Sequence, residues 1–223
     1  MNNRIEKALQ TSIVQYATAV NSDASPVLDR LITIFKQDLH FLEKVEKFDA
    51  VFDDYPVFDA LREIYFDLLM INFFTTDVKK LEEDYLESPE WADIEDKTID
   101  RGTELLNLLL YINECHDEKI HPGLDDFLKE FLLVEEDEFQ DEFHIYEDLI
   151  QQQQLAESTV ETICKKATQL ELTEEMASLF VPFMSFFLQP EFKESTLREL
   201  STWSENKAFD AAVYTLITNF NRK

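Results

Sequence analysis

Glycine is almost absent from this chain, which contains only Gly102 and Gly123 among its 223 residues. An average protein contains roughly 7% glycine. Tight hairpins and phosphate-binding loops depend on glycine, because it adopts positive φ freely and lets the backbone approach a ligand closely. The sequence therefore excludes a Walker loop and a dinucleotide-binding turn. It also disfavours an antiparallel β architecture.

Apolar residues recur instead at the helical period along most of the chain. One stripe runs from Ile5 to Val20 and a second from Leu28 to Val45. The pairs Ser25–Pro26 and Ser88–Pro89 have the cap-then-proline order that is typical of helix starts. In the second half, Ser158 and Thr173 are predicted helix caps, and the helix after Thr173 is predicted to run through Phe187. The last stripe runs from Phe209 to Phe220. We predict an all-α fold, either a multi-helix bundle or an irregular helical array, of about 8–10 helices.

The clearest interruption of the helical pattern lies near residues 117–124. Pro122 disfavours helix at the residue before it, and Gly123 follows directly. An apolar fraction of 45% argues against disorder. We predict one all-α domain over residues 1–223, with a subdivision into two helical halves near 117–124.

The acidic residues are concentrated in the middle of the chain. Residues 81–190 contain 29 acidic and 6 basic residues, so most of the net charge of −27 lies there. Glu82–Asp100 contains nine acids against Lys97, and 135–148 contains eight acids and no Lys or Arg. Such surfaces either keep a protein soluble or attract a basic partner. No basic stripe is present, which argues against direct nucleic-acid binding.

The segment from residue 130 to 150 carries an apolar stripe through its acids. Phe139, Phe143, Tyr146 and Ile150 follow helical spacing, with an irregular step of five residues between Val134 and Phe139. We predict an amphipathic helix, with a kink or break at that step, that presents its acids to a basic protein. The predicted partner-binding residues are Glu135, Glu138, Asp141, Glu142 and Asp148.

No residue set predicts catalysis. Two acid-x-x-His sequences, ending at His121 and His144, are similar to the ligand motif of di-iron helical bundles. However, Pro122 pushes His121 out of helical geometry, and the second motif has the shorter Asp141. Cys115 and Cys164 do not form a CxxC motif, and Cys164 lies on an apolar stripe. We therefore predict no catalytic residue, cofactor or metal ligand.

The function predicted from these features is that of a non-catalytic acidic helical protein, a protein–protein interaction or scaffold module. The alternatives are an acidic neutraliser that occupies the basic site of another protein, and a carboxylate–histidine metal-binding bundle. The N-terminal residues lack the apolar segment of a signal peptide, and no apolar block is long enough to span a bilayer. We expect a cytoplasmic protein that binds a protein partner and no membrane.

Overall fold

The computed structural model describes residues 1–76, 80, 82–131, 133–135, 138–139 and 145–222. Within these residues the α-helices are α1 (Asn3–Ala19), α2 (Ser25–Lys36), α3 (Phe41–Asp54), α4 (Arg62–Thr76), α5 (Glu83–Leu86), α6 (Pro89–Thr98), α7 (Leu105–Glu118), α8 (Leu124–Asp126), α9 (Glu147–Gln151), α10 (Val160–Ala167), α11 (Glu174–Ala177), α12 (Phe180–Leu188), α13 (Glu194–Trp203) and α14 (Lys207–Phe220). Two 3-10 helices cover Pro56–Leu61 and Gln153–Glu157, and a π-helix covers Phe127–Phe131. Two short strands, β1 (Leu133–Glu135) and β2 (Glu138–Phe139), complete the described elements.

The all-α prediction is confirmed by this arrangement. In the described part of the chain, ten α-helices have eight or more residues, which agrees with the predicted number. The other four α-helices have three to five residues each. These short helices occur where the chain changes direction, so the fold is an irregular array of helices.

The last helix, α14, is the centre of the core. Every residue from Phe209 to Phe220 is buried. Apolar side chains occur on all sides of this helix, and a helix of that kind is stable only when other elements surround it. Helix α1 packs along α14, where the Ser12 hydroxyl donates to the Ala212 carbonyl at 2.9 Å. One apolar cluster extends from Ile5 to Phe220.

The helix predicted over 25–45 is two helices separated by a break at Gln37–His40. Gln37 has extended backbone angles, so α2 ends before it. The side-chain amide of Asn72 donates to the Phe35 carbonyl at 3.3 Å, and this satisfies an acceptor that the end of α2 leaves free. Because this contact comes from α4, the local apolar period could not reveal the break.

Helix α9 begins at Glu147 within the segment 130–150, but the predicted amphipathic helix is wrong at residues 133–135 and 138–139. β1 and β2 pair antiparallel there, with Leu133 opposite Phe139 and Glu135 opposite Glu138. Many like charges at helical spacing destabilise a helix, and Leu, Val and Phe fit a strand. The irregular step after Val134 coincides with this hairpin.

Several helix starts agree with their predicted caps, although three details differ. Ser25 is the first residue of α2, and the cap position is occupied by Ala24, which makes no side-chain hydrogen bond. The side chains of Ser88 and Thr173 accept from the backbone N–H groups of Trp91 and Met176. The predicted cap Ser158 is replaced by its neighbour Thr159. The helix predicted to run from Thr173 through Phe187 is divided into α11 and α12. Pro182 lies in the first turn of α12, where its missing backbone N–H is tolerated.

Candidate acidic docking surface

Most of the five predicted partner-binding acids lie outside the part of the chain whose side chains are described. Asp141 and Glu142 lie outside the described residues, and only the backbone is described for Glu135 and Glu138. Asp148 is half-buried in the first turn of α9, where an acid is favourable. The predicted anchor Tyr146 is buried, and its hydroxyl donates to the Glu104 carboxylate. This site therefore remains a prediction.

The other acidic segment, Glu82–Asp100, is fully described and faces solvent. All nine of its carboxylate side chains are exposed. The apolar residues of α6 divide by face, so that Ile94 is buried and Trp91 half-buried against the core. Within the described residues, Asp93 is the acid of this segment that forms an ion pair, with Lys97 at 2.9 Å.

Acids in the first third of the chain are paired far more often. Arg62 contacts Asp53 at 2.7 Å and Asp59 at 2.8 Å. Arg101 binds Asp49 with both terminal nitrogens, at 2.9 and 3.0 Å, and reaches Glu63 at 3.0 Å. Arginine suits such bidentate geometry because its planar fork matches a carboxylate. The carboxylates of Glu82–Asp100 thus differ from these acids in having few partners.

The turn between α6 and α7 is held against α4 by two carboxylates. The backbone N–H of Gly102 donates to Glu63 at 2.7 Å, and that of Thr103 donates to Asp67 at 3.0 Å. Asp67 is completely buried, and burial raises its pKa well above the usual range of an aspartic acid. Gly102 adopts a φ of 84°, which glycine accepts without strain.

This turn forms one wall of an acidic depression with a volume of about 500 Å³. Asp100 and Glu104 contribute from the turn, while Glu174 and Glu175 contribute from the start of α11. Ile99 lies at the same depression and is 75% exposed. Arg101 also lines the depression, but its guanidinium is paired with Asp49 and Glu63. The four carboxylates, from two distant segments, therefore line the same depression as exposed Ile99. We refer to these five residues as the acidic depression.

Sequence reasoning did not identify Glu174 and Glu175 as site residues. Both follow the Thr173 cap, where acids are common because they complement the helix dipole. Nothing local distinguishes them from ordinary capping acids. Their approach to Asp100 depends on tertiary packing, which a single sequence does not encode in a visible pattern.

The histidines and cysteines do not form a catalytic arrangement in the described residues. His121 is exposed and lies beyond the end of α7, so it is not aligned with Glu118 on a helix. The ring of His116 contacts the Asn221 carbonyl at 2.9 Å, while His144 lies outside the described residues. Both thiols are buried; burial raises the pKa of Cys115, and it raises that of Cys164 to about 11. The thiolate form needed by a nucleophile is therefore disfavoured.

Asp210 is, like Asp67, a buried carboxyl group that lies outside the segment Glu82–Asp100. It is 4% exposed, and the Ser204 hydroxyl donates to it at 2.6 Å across the turn between α13 and α14. Burial raises the pKa of Asp210 to about 7, and the hydrogen bond from Ser204 opposes this rise. The pair fixes the start of the central helix, which is a structural role.

Comparison with known proteins finds no similar protein family, curated protein or solved structure. In the part of the chain that is described, no three His, Cys, Asp or Glu side chains are grouped so as to hold a metal ion. None of the described helices is long and apolar enough to cross a bilayer.

Proposed function

We propose that this protein is a non-catalytic interaction module that docks a basic protein partner on the acidic depression and the adjoining segment Glu82–Asp100. The observation that carries the proposal is the convergence of Asp100, Glu104, Glu174 and Glu175 around exposed Ile99. An apolar anchor inside a charged rim is the composition of many protein interfaces.

The carboxylates support fast, salt-sensitive capture of the partner. Exposed charges of one sign raise association rates by 10-fold or more, and added salt removes much of this effect. The nine exposed acids of Glu82–Asp100 are available for this role because most of them lack an ion-pair partner in the described residues. We therefore expect a Lys- or Arg-rich partner surface.

The apolar residues support a different step, the lifetime of the complex. Ile99 is 75% exposed and Leu86 is 40% exposed, and both belong to the acidic segment or its edge. Large apolar side chains at the centre of an interface contribute most of its binding free energy once water is excluded. Burial of Ile99 by the partner would slow dissociation.

The proposal is tested first by identifying the partner and then by kinetics. The purified protein is used to capture partners from a lysate of its source cells at low salt. Association and dissociation rates are then measured with the purified partner. The variant Asp100→Asn/Glu174→Gln/Glu175→Gln should associate more slowly at low salt, and the difference from wild type should shrink as salt is added. Ile99→Ala should dissociate about tenfold faster at every salt concentration.

A matched control removes the same charge elsewhere. Glu46, Glu157 and Glu171 are exposed and form no ion pair in the residues described, so their replacement by Gln also makes the net charge less negative by three. If this control slows association as much as the depression variant, only net charge matters and the proposed surface is wrong. Unchanged dissociation for Ile99→Ala would remove Ile99 as the anchor.

The second acidic segment remains a proposed extension of the same surface. The variant Glu135→Gln/Glu138→Gln/Glu142→Gln should retain the fold and capture the basic partner more slowly at low salt. A variant that unfolds would show that these acids are structural. Equal stability with unchanged capture would show that they serve solubility alone.

The high density of acids favours one specific form of this function, in which the protein occupies the basic nucleic-acid-binding site of its partner. If the captured partner binds DNA or RNA, wild-type protein should compete with nucleic acid for it. The depression variant should compete less well at low salt. If the partner binds nucleic acid and this protein at the same time, neutralisation is excluded. The protein would still be an interaction module.

A further inference from the structure

A second candidate site lies in a cleft with a volume of about 360 Å³ between the end of α2, the start of α3 and helix α4. We call it the α2–α4 cleft. Its apolar walls include the rings of Phe35, Phe41 and Phe73. Clefts of this size that combine apolar walls with a few polar groups are typical of small-molecule sites. It is separate from the acidic depression.

Two buried oxygen atoms in the α2–α4 cleft have no hydrogen-bond donor among the described residues. Asn72 is 1% exposed, and its Oδ1 atom has no hydrogen-bond partner in the described residues. Its amide nitrogen donates to the Phe35 carbonyl, which fixes the orientation of the group. The Oε1 atom of Gln37 is likewise buried without a donor. A buried acceptor without a donor is destabilising, so both oxygens favour a ligand that brings hydroxyl or amino groups.

The cleft also contains two lysines for which the described residues provide no ion-pair partner. Lys44 and Lys80 both line it and are half-buried. Within the part of the chain that is described, neither forms an ion pair with a carboxylate. The Lys80 ammonium lies 3.8 Å from the centre of the Phe73 ring. In a protein with 47 acids and 20 lysines and arginines, two neighbouring lysines without a carboxylate partner are unexpected.

The remaining charged groups lie at the rim of the cleft. Lys36 also lines it, but its ammonium is 2.8 Å from Glu6. Asp38 and Glu90 are exposed at the opening, where water screens them. Burial, followed by repulsion from Lys80, lowers the pKa of Lys44, and an anion beside it would relieve that repulsion. Exposed Asp38 acts in the opposite direction on the pKa of Lys44, so the positive charge of the two half-buried lysines is partly offset.

Helix α3 begins at the same place. Its 14 residues start at Phe41, which lines the cleft, and its cap residue His40 provides no side-chain hydrogen bond. The first N–H groups of a helix together with its dipole attract an anionic group. The helix start, the two lysines and the two buried acceptors are thus independent features of one cleft.

We propose that the α2–α4 cleft binds a small hydroxylated organic anion, a phosphate monoester or a carboxylate. The anionic group lies between the Lys44 and Lys80 ammonium groups at the start of α3. Hydroxyl groups of the same molecule donate to Asn72 Oδ1 and Gln37 Oε1. The phenyl rings exclude water from these contacts and thereby strengthen them.

The test is a titration followed by amide chemical shifts, with glycerol 3-phosphate, glycerate, inorganic phosphate and glycerol as separate probes. We expect glycerol 3-phosphate or glycerate to shift the amides of residues 37–44 and 72, and to bind more tightly than phosphate or glycerol alone. The first two probes distinguish a phosphate site from a carboxylate site. Absence of shifts with all four probes, or shifts confined to other surfaces, would overturn the proposal.

Three variants separate the contributions to binding. Lys44→Met should weaken binding of the better probe by about tenfold or more, because a charge-assisted hydrogen bond is lost. Asn72→Leu should weaken the hydroxylated probe by about threefold to tenfold and leave inorganic phosphate unchanged. Lys47→Met is the matched control, since Lys47 is an exposed lysine on the same helix.

The outcomes remain interpretable if one variant is unstable. The stability of each variant is measured without ligand, and a destabilised Asn72→Leu protein leaves Lys44→Met and Lys47→Met as the deciding pair. Equal loss of binding in these two lysine variants would mean that the anion is held by general charge, and the proposed site would be wrong. Wild-type affinity in Lys44→Met would also exclude it.

Discussion

Gly102 holds a backbone conformation that no other residue type accepts easily. Its φ is 84°, and a Cβ atom added there would lie 2.6 Å from Asp67 Oδ1. We predict that Gly102→Ala lowers the free energy of unfolding by about 1–3 kcal/mol, from backbone strain and displacement of the buried carboxylate. Urea unfolding followed by circular dichroism measures this change.

The second glycine provides the control for this prediction. At Gly123 the nearest atom to an added Cβ is Asp126 Oδ2 at 3.4 Å, and the backbone is extended. Gly123→Ala should change the free energy of unfolding by less than about 0.5 kcal/mol. Equal effects at both glycines would show that the positive φ and the contact with Asp67 are unimportant.

Asp210 makes the stability of the fold depend on pH in a defined interval. Because burial raises its pKa from 3.8 to about 7, the folded protein retains a proton there that the unfolded chain has released. The contribution of Asp210 to stability is therefore lost progressively from pH 3.8 to about pH 7 and is constant above that. Asp210→Asn keeps an acceptor for Ser204 and does not titrate.

We predict that Asp210→Asn is more stable than wild type above neutral pH, by about 2–4 kcal/mol. The difference should shrink as the pH falls towards 3.8 and disappear below that value, where the wild-type carboxyl group is neutral in both states. Urea unfolding across the interval measures it. The same substitution at exposed Asp96 controls for net charge, and a matching curve for both variants would contradict the role of Asp210.

At the scale of the element, α6 carries acids where its dipole disfavours them. Glu95 and Asp96 are exposed in its last turn, beside the negative end of the helix. Replacing them with Gln and Asn should raise the free energy of unfolding by about 0.5–1 kcal/mol. The same change at Glu174 and Glu175, in the first turn of α11, should have the opposite sign. Thermal unfolding at low salt compares the two variants.

The elements that sequence reasoning predicted well are those whose signal is local. Ser88 and Thr173 cap helices as predicted, because a cap needs only the next few residues. The break between α2 and α3 needed the amide of Asn72, which lies on another helix. The acidic depression was missed for the same reason, since Asp100 and Glu175 meet only after the chain has packed.

At the scale of the whole molecule, the charge should make stability depend on ionic strength. With a net charge of −27, repulsion among exposed acids opposes the compact state. We predict that the urea midpoint rises from low to physiological ionic strength, where the Debye length is about 8 Å. Sodium chloride and tetramethylammonium chloride should raise the urea midpoint equally. A larger effect of sodium at equal ionic strength would indicate specific cation binding.

The pairing of α1 with α14 determines when the core can form during synthesis. The Ser12–Ala212 hydrogen bond joins residues 200 positions apart. A ribosome that adds 5–20 residues per second needs roughly 10–40 s to cover that separation. Until then the apolar side of α1 lacks its permanent partner, and the growing chain must remain soluble by other means. The many acids in the middle of the chain emerge during this interval, and we expect their mutual repulsion to oppose association of incomplete chains.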